Sequence, residues 1–245
     1  MRERRYVRDG GTQRFLSTVL ATASSRKISI PRNRYLWRAQ LGYTSEPLYE
    51  QGQYIDDVPA PYPPERMKPL KNSAREGRAN PKGIPYLYLS NRKETAMAEV
   101  RPWFGSLISV GQFKTLRKLN VISCLSDQPK KRTFFFREPS VRERRNAVWA
   151  DIDEAFSRPT TLADDVADYV PTQILAELFK SKGYDGLVYR STFGGGHNVV
   201  LFDLEAAELI NCFLYELKRL DFDFQQVANP YFVAKHYEQG GHPGS

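Results

Sequence analysis

Arg78 stands between Gly77 and Ala79 in the stretch GRANPKGIPYLYLS, and Glu99 closes the stretch KETAMAE that follows. A guanidinium ahead of a Pro/Gly turn and a strand can point into the mouth of a cleft. Its planar fork suits bidentate capture of phosphate or carboxylate there. Tyr86 and Tyr88, two residues apart, share one face of that strand, and Leu87 points the other way. One face is therefore aromatic with polar tips. Ala96 and Ala98 are small enough to let the following helix approach the sheet, which would carry Glu99 over the strand. These residues suggest one anion-binding site containing one carboxylate. The alternative is structural, with Arg78 and Glu99 as an ion pair over half-buried tyrosines. Glu94 and Arg101 read as surface charges.

A second constellation lies in RSTFGGGHN, residues 190–198. Three consecutive glycines, Gly194, Gly195 and Gly196, can cradle phosphate through backbone amides. A hairpin tip accounts for them equally well. No GK[ST] follows, and the next element is a strand, so this is no Walker loop. Ser191 and Asn198 flank the glycines at strand ends, where side chains can meet a ligand over a rigid base. A Ser-His-Asp hydrolase is disfavoured, because there is no G-x-S-x-G elbow and His197 is the only histidine outside the C-terminal tail. The three histidines and two cysteines show no metal-ligand spacing, so no metal is expected.

The elements that must hold these residues read as a mixed chain in which strands outnumber helices. LWRAQ (36–40), YLYLS (86–90), LISVGQF (107–113), LNVISCL (119–125), GLVYRS (186–191) and NVVLFD (198–203) are expected strands. Two further alternating runs lie near 208–215 and 217–224. Ser90 or Asn91 is expected to cap a helix that runs to about Val100 and stops at Pro102. SVRERRNAVWADIDEAF reads as a helix with a Ser140/Glu143 capping box and an apolar stripe of Val141, Val148, Trp149, Ile152 and Phe156. TQILAELFKSKG reads as another, ending at Gly183. Residues 43–77 hold six prolines and are expected as a long surface loop. The expected organisation is an extension over 1–34 with a helix at Thr12–Ser24, one domain over 35–225, and a tail over 226–245.

The chain has 245 residues and a net charge of +8, and residues 1–45 contain ten Lys/Arg against two acids. The rest of the chain is neutral, so the basic character belongs to the N-terminal segment. That segment could touch nucleic acid or an acidic partner, or it could be a solvated arm. No apolar run reaches membrane-spanning length. Two isolated cysteines, Cys124 and Cys212, make no disulfide framework, and a reducing cytoplasm is the expected compartment.

Arg78, Glu99 and Ser191, in that order along the chain, resemble the RES-domain family, which is named for its Arg, Glu and Ser. The matching pieces are LWRAQ, GRANPKGIPYLYLS, ETAMAEVRP and YDGLVYRSTFGGGHNVVLFD, which bracket residues 36–203. The resemblance implies an α+β fold similar to ADP-ribosyltransferases, with a mainly antiparallel β core and flanking helices. It implies NAD⁺ as substrate rather than cofactor, degraded by hydrolysis or phosphorolysis, with protein ADP-ribosyl transfer known in some relatives. It also implies the toxin of a two-gene module with an Xre-type helix-turn-helix antitoxin as partner. Homo-oligomerisation stays open.

The residue types suit that chemistry. Breaking the nicotinamide–ribose bond passes through an oxocarbenium-like state, which a carboxylate stabilises electrostatically. Nicotinamide leaves as a neutral base, so no proton donor is required and one carboxylate can suffice. By resemblance, Glu99, Arg78 and Tyr88 are the catalytic set, with Arg78 on the pyrophosphate and Tyr88 lining the nicotinamide pocket. Arg38, Ser191, Asn198 and Tyr86 are the substrate-binding set. Two other readings are a nucleic-acid-binding protein acting through the basic arm and a catalytically dead nucleotide sensor. The presence of Arg78, Tyr88 and Glu99 together speaks against the sensor.

Overall fold

The computed structural model describes residues 10–70, 74–126, 138–159 and 166–226. Its centre is an eight-stranded sheet. In chain order the strands are β1 (Lys27–Ile30), β2 (Tyr35–Leu41), β5 (Leu87–Ser90), β6 (Leu107–Thr115), β7 (Leu119–Ser123), β8 (Gly186–Arg190), β9 (His197–Leu201) and β10 (Ala207–Glu216). Their spatial order is β1-β7-β8-β9-β5-β2-β6-β10. Every pairing is antiparallel except β7 with β8. A parallel neighbour needs a crossover, and the long β7–β8 connection supplies it with helices α4 (Val141–Ser157) and α5 (Val170–Ser181). The fold is α+β with a mainly antiparallel sheet, as expected.

Alternation along the strands sends two sets of side chains to opposite faces. On one face, Tyr86, Ile122, Leu187, Tyr189 and Val200 pack under Trp149, Ile152 and Phe156 of α4 and Leu175 and Phe179 of α5. On the other, Leu87, Leu89, Phe113, Val121, Val188, Val199 and Leu201 gather around Met67 of the short α2 (Pro64–Met67). A third cluster of Ala39, Ile108 and Val110 lies beneath Ala96 of α3 (Lys93–Glu99). Helix α4 starts at the expected capping box, with both reciprocal Ser140/Glu143 bonds formed. Its expected stripe is buried at Trp149, Ile152 and Phe156, while Val141 is exposed. Gly183, just past α5, has φ +79°, a backbone conformation that glycine tolerates without strain.

Several expectations change. Residues 10–30 do not extend from the domain but are built into it. Helix α1 (Gly10–Ala23) buries Leu16, Val19 and Ala23 in the first core cluster. The Trp149 indole N–H donates to Thr22 Oγ1 at 3.1 Å, and Arg26 lies over the Trp149 ring. β1, too short to stand out in the sequence, pairs with β7. Six of the ten basic residues of the first 45 therefore lie on or between elements of the fold.

The expected loop over 43–77 contains a hairpin of β3 (Thr44–Glu50) and β4 (Gln53–Ala60). Pro47 and Pro59 argued against strands, but a two-stranded ribbon has two open edges where a missing N–H costs little. Gln51 (φ 51°) and Gly52 (φ 83°) make its tight turn, with both central residues at positive φ. The run at 217–224 forms no strand. Helix α3 has Arg92 at its N-cap without a side-chain cap, because Ser90 and Asn91 are engaged elsewhere.

Asp153, buried on α4, ties the crossover to the sheet. Its carboxylate accepts from the Ser126 amide (3.0 Å), Arg190 Nη2 (2.9 Å) and Ser157 Oγ (3.2 Å).

Because α1 fills the core, Leu16→Ala should destabilise the protein by about 2–5 kcal/mol, and a 35–245 truncation should lose cooperative melting. Chemical denaturation measures the first and calorimetry the second. A truncated chain that melts like the full one would show that α1 and β1 are dispensable.

Candidate active site

Glu99 is the last residue of α3, where Val100 caps the helix and Arg101, at φ 48°, turns the chain away. Its carboxylate is held at one oxygen. Ser191 Oγ donates to Glu99 Oε1 at 2.6 Å and Asn198 Nδ2 donates to the same atom at 2.7 Å. Oε2 takes no hydrogen bond among the described residues. Asn198 is oriented in turn, since Ser90 Oγ donates to its Oδ1 at 2.6 Å. Ser90, Ser191 and Asn198 are all buried on or just beyond paired strands, with Ser90 and Asn198 directly opposite one another. The sheet thus fixes one carboxylate oxygen and leaves the other available.

The glycine run explains how α3 comes so close. A Cβ on Gly194 would sit 2.9 Å from Thr95 Cα, and one on Gly196 would collide with Thr95 Oγ1 and Asn91. Gly195 has more room, its nearest neighbour being the Arg92 guanidinium at 3.8 Å. The loop is bare so that the start of α3 can lie on it. Asn91 Oδ1 accepts from the His197 amide at 2.8 Å, and the Gly194 amide donates to Ser191 Oγ at 3.2 Å. These bonds position the Glu99 clamp. Burial, with Arg34 and Arg92 nearby, holds the His197 imidazole pKa below its ordinary value.

Glu99 faces a cleft of about 170 Å³ that is also lined by Trp37, Arg38, Tyr88, Tyr189 and Asn198. This is smaller than the roughly 300–1,000 Å³ of a pocket for a drug-sized ligand, so the cleft suits one ring or sugar of a larger molecule. Arg38, on β2, is half-buried. Its Nη1 donates to the Tyr88 carbonyl at 3.2 Å, and its Nε is sealed without a partner. Burial lowers its pKa, and no carboxylate lies within ion-pair distance among the described residues. A guanidinium with five N–H donors and one bond made is a strong anion receptor.

Tyr88 lines the cleft with its ring, but its hydroxyl is committed elsewhere. It donates to Asn80 Oδ1 at 2.7 Å and accepts from the Ala79 amide at 2.9 Å. Asn80 Nδ2 donates to the carbonyls of Arg75, Pro81 and Ile84, while Gln173 of α5 donates to those of Gly77 and Asn80. Tyr88 therefore supports the loop that presents Arg78. Arg78 accepts at its carbonyl from Thr172 Oγ1 at 2.6 Å and extends its guanidinium towards the Ala155 carbonyl at 3.5 Å. It makes no ion pair with Glu99 and does not line the cleft.

The structure thus brings Arg38, Tyr88, Glu99, Ser191 and Asn198 together. Arg78 stands at the side, near enough to Tyr88 and Tyr189 to influence both phenols. Tyr86 does not join them, because its ring is buried against Phe202 (4.9 Å) beneath Lys180. Burial, with Glu177 nearby, pushes its phenol up to about 12.

Sequence reading missed Trp37, Ser90 and Tyr189. Tyr189 is legible in hindsight, as it lies two residues before Ser191 and opposite Asn198. Burial, then Tyr88 and Glu99, push its pKa upward. Ser90 looked like a helix cap because a serine before a helix usually is one. Among the described residues no cluster could hold a metal ion, and no helix is long and apolar enough to cross a membrane.

The family model for the RES domain matches residues 50–223, a span that takes in Glu99, its two hydrogen-bond donors, Tyr88 and Arg78. The chain belongs to the RES-domain family. Among solved structures, it is similar to a chain of the M. tuberculosis MbcT–MbcA toxin–antitoxin complex. That match covers 82% of this chain and 96% of the other, at 14% sequence identity and a TM-score of 0.42. No curated protein matches the chain.

The Tyr88 hydroxyl and Asn80 Oδ1 would lie 2.7 and 2.8 Å from a Cβ at Gly77, so Gly77→Ala should disturb the loop that carries Arg78. Tyr88→Phe strands Asn80 Oδ1 and the Ala79 amide, and should cost about 1–3 kcal/mol in denaturant unfolding. Unchanged stability in both variants would show that this network does not hold the loop.

Proposed function

We propose that this protein is an NAD⁺-consuming enzyme that breaks the nicotinamide–ribose bond. The observation that carries this reading is the pairing of two groups in one cleft. Among the described residues, Glu99 is clamped at Oε1 with Oε2 bare, and Arg38 is a half-buried guanidinium without an acidic partner. The first group suits a developing positive charge and the second a phosphate. The cleft volume suits the nicotinamide–ribose end, with the rest of the dinucleotide outside it.

In the proposed reaction the C1′–N bond breaks and its electron pair leaves with nicotinamide, which changes from a pyridinium to a neutral base. Positive charge develops on the ribose ring, and Glu99 Oε2 stabilises it in a site partly shielded from water. Water then forms the new C1′–O bond and loses a proton to solvent, or an anionic phosphate oxygen forms that bond with no proton to lose. Arg38 holds the pyrophosphate, with Arg78 as a second cation at the rim. Ser191 and Asn198 act as positioning residues through Glu99, in place of the direct substrate contacts expected from sequence. Protein ADP-ribosyl transfer is the same bond cleavage with a protein nucleophile, and it is the alternative reading. The proposed setting is a cytoplasmic toxin restrained by an Xre-type antitoxin, as the family resemblance implies.

Nicotinamide release from NAD⁺, measured with and without phosphate, tests this reading. Glu99→Gln keeps the shape and removes the charge, so it should lower kcat by about 10²–10³ without changing thermal stability. Arg38→Ala should chiefly raise KM, and by more than Arg78→Ala does. Near-normal turnover in folded Glu99→Gln protein would remove the carboxylate from the mechanism, and equal KM for Arg38→Ala and the parent would remove Arg38 from phosphate binding.

A further inference from the structure

The β3–β4 hairpin is a ribbon whose side chains are exposed on nearly every position. Two-stranded hairpins are marginal in water on their own. This one nevertheless presents Leu48, Tyr49, Tyr54 and Ile55 to solvent, each between 45% and 60% exposed. Cross-strand pairing places Glu46 opposite Val58 and Leu48 opposite Asp56, so acidic and apolar side chains interleave on one face. Residues 44–60 contain Glu46, Glu50, Asp56 and Asp57 and no Lys or Arg. A partner for this surface must be basic and apolar together.

The same chain carries such a surface. Among the described residues, β1 is an end strand of the large sheet with no strand on its outer edge, and such an edge can pair with a partner. Lys27 and Ile28 on β1, Arg32 and Arg34 in the following turn, and Tyr35 at the start of β2 are all exposed. Residues 27–35 thus carry three exposed cations and two exposed apolar side chains along one run of chain. The hairpin leaves from the opposite end of β2, about 20 Å from Tyr35 at roughly 3.3 Å per residue, and in the structure neither surface covers the other.

We propose that the hairpin of one molecule docks on the Lys27–Tyr35 strip of a second copy of this chain. Because each copy has one arm and one strip, a two-fold dimer satisfies both contacts at once. This assignment is independent of the NAD⁺ chemistry.

Sedimentation equilibrium of the full chain tests it, since a dimer of roughly micromolar Kd is well populated at ~100 µM. The expected result is a dimer that dissociates as salt is raised. Asp56→Lys with Asp57→Lys should give a monomer with an unchanged circular dichroism spectrum, as should Tyr49→Ser with Tyr54→Ser. Two variant pairs guard against misfolding of either one. A wild-type monomer at that concentration overturns the proposal, even if the hairpin captures a different protein. A dimer that survives in both folded variant pairs overturns it too.

Discussion

Two hydrogen bonds to a single oxygen of Glu99 set the geometry on which the site depends. A glutamate at the end of a short helix has several rotatable bonds and would ordinarily sample solvent. Here Ser191 and Asn198 both donate to Oε1, and Ser90 fixes the Asn198 amide from the neighbouring strand. Their donors come from β9 and the end of β8, so the carboxylate is referenced to the sheet rather than to the helix that carries it. Such preorganisation costs nothing at the moment of reaction, which is why fixed charges stabilise transition states better than mobile ones.

The rest of the architecture can be understood as what this clamp requires. α3 must lie close to the β8–β9 connection, and glycines at 194 and 196 remove the side chains that would hold it away. β2 must bring Arg38 beneath Tyr88, and its pairing with β5 and β6 does so. The crossover helices are anchored by the buried Asp153, which joins Ser126 and Arg190. Tyr88, Asn80 and Gln173 fix the loop that carries Arg78. A buried polar network of this kind is stabilising only when its members are paired. Among the described residues, Arg38 Nε and Thr95 Oγ1 are buried without a partner, and Arg38 meets the cleft through the rest of its guanidinium.

Much of this was legible in the sequence, for definable reasons. Alternation separates Tyr86 and Tyr88 from Leu87, and the capping box marks the start of α4. Arg38, Tyr88, Glu99 and Asn198, read from four separate stretches, line one cleft in the structure, and Ser191, read with Asn198, donates to the Glu99 carboxylate. What sequence could not show was direction. Tyr88 and Arg78 sit in the expected places, but the Tyr88 hydroxyl turns to Asn80 and the Arg78 guanidinium to α4. Tyr86 shares a face with Tyr88 yet lies under α5, because a face is longer than a pocket. The N-terminal residues look like an arm in sequence because charge dominates their composition, yet Leu16, Val19 and Ala23 bury α1 in the core. The β3–β4 hairpin was hidden by prolines that only a sheet interior would forbid.

The most direct measurement is a crystal structure of the Glu99→Gln variant with intact NAD⁺ bound. The account predicts the nicotinamide ribose in the cleft, with C1′ facing the side chain at position 99 on the side away from Ser191 and Asn198, and the pyrophosphate on Arg38. A dinucleotide bound elsewhere, or one whose ribose lies out of reach of position 99, would contradict it.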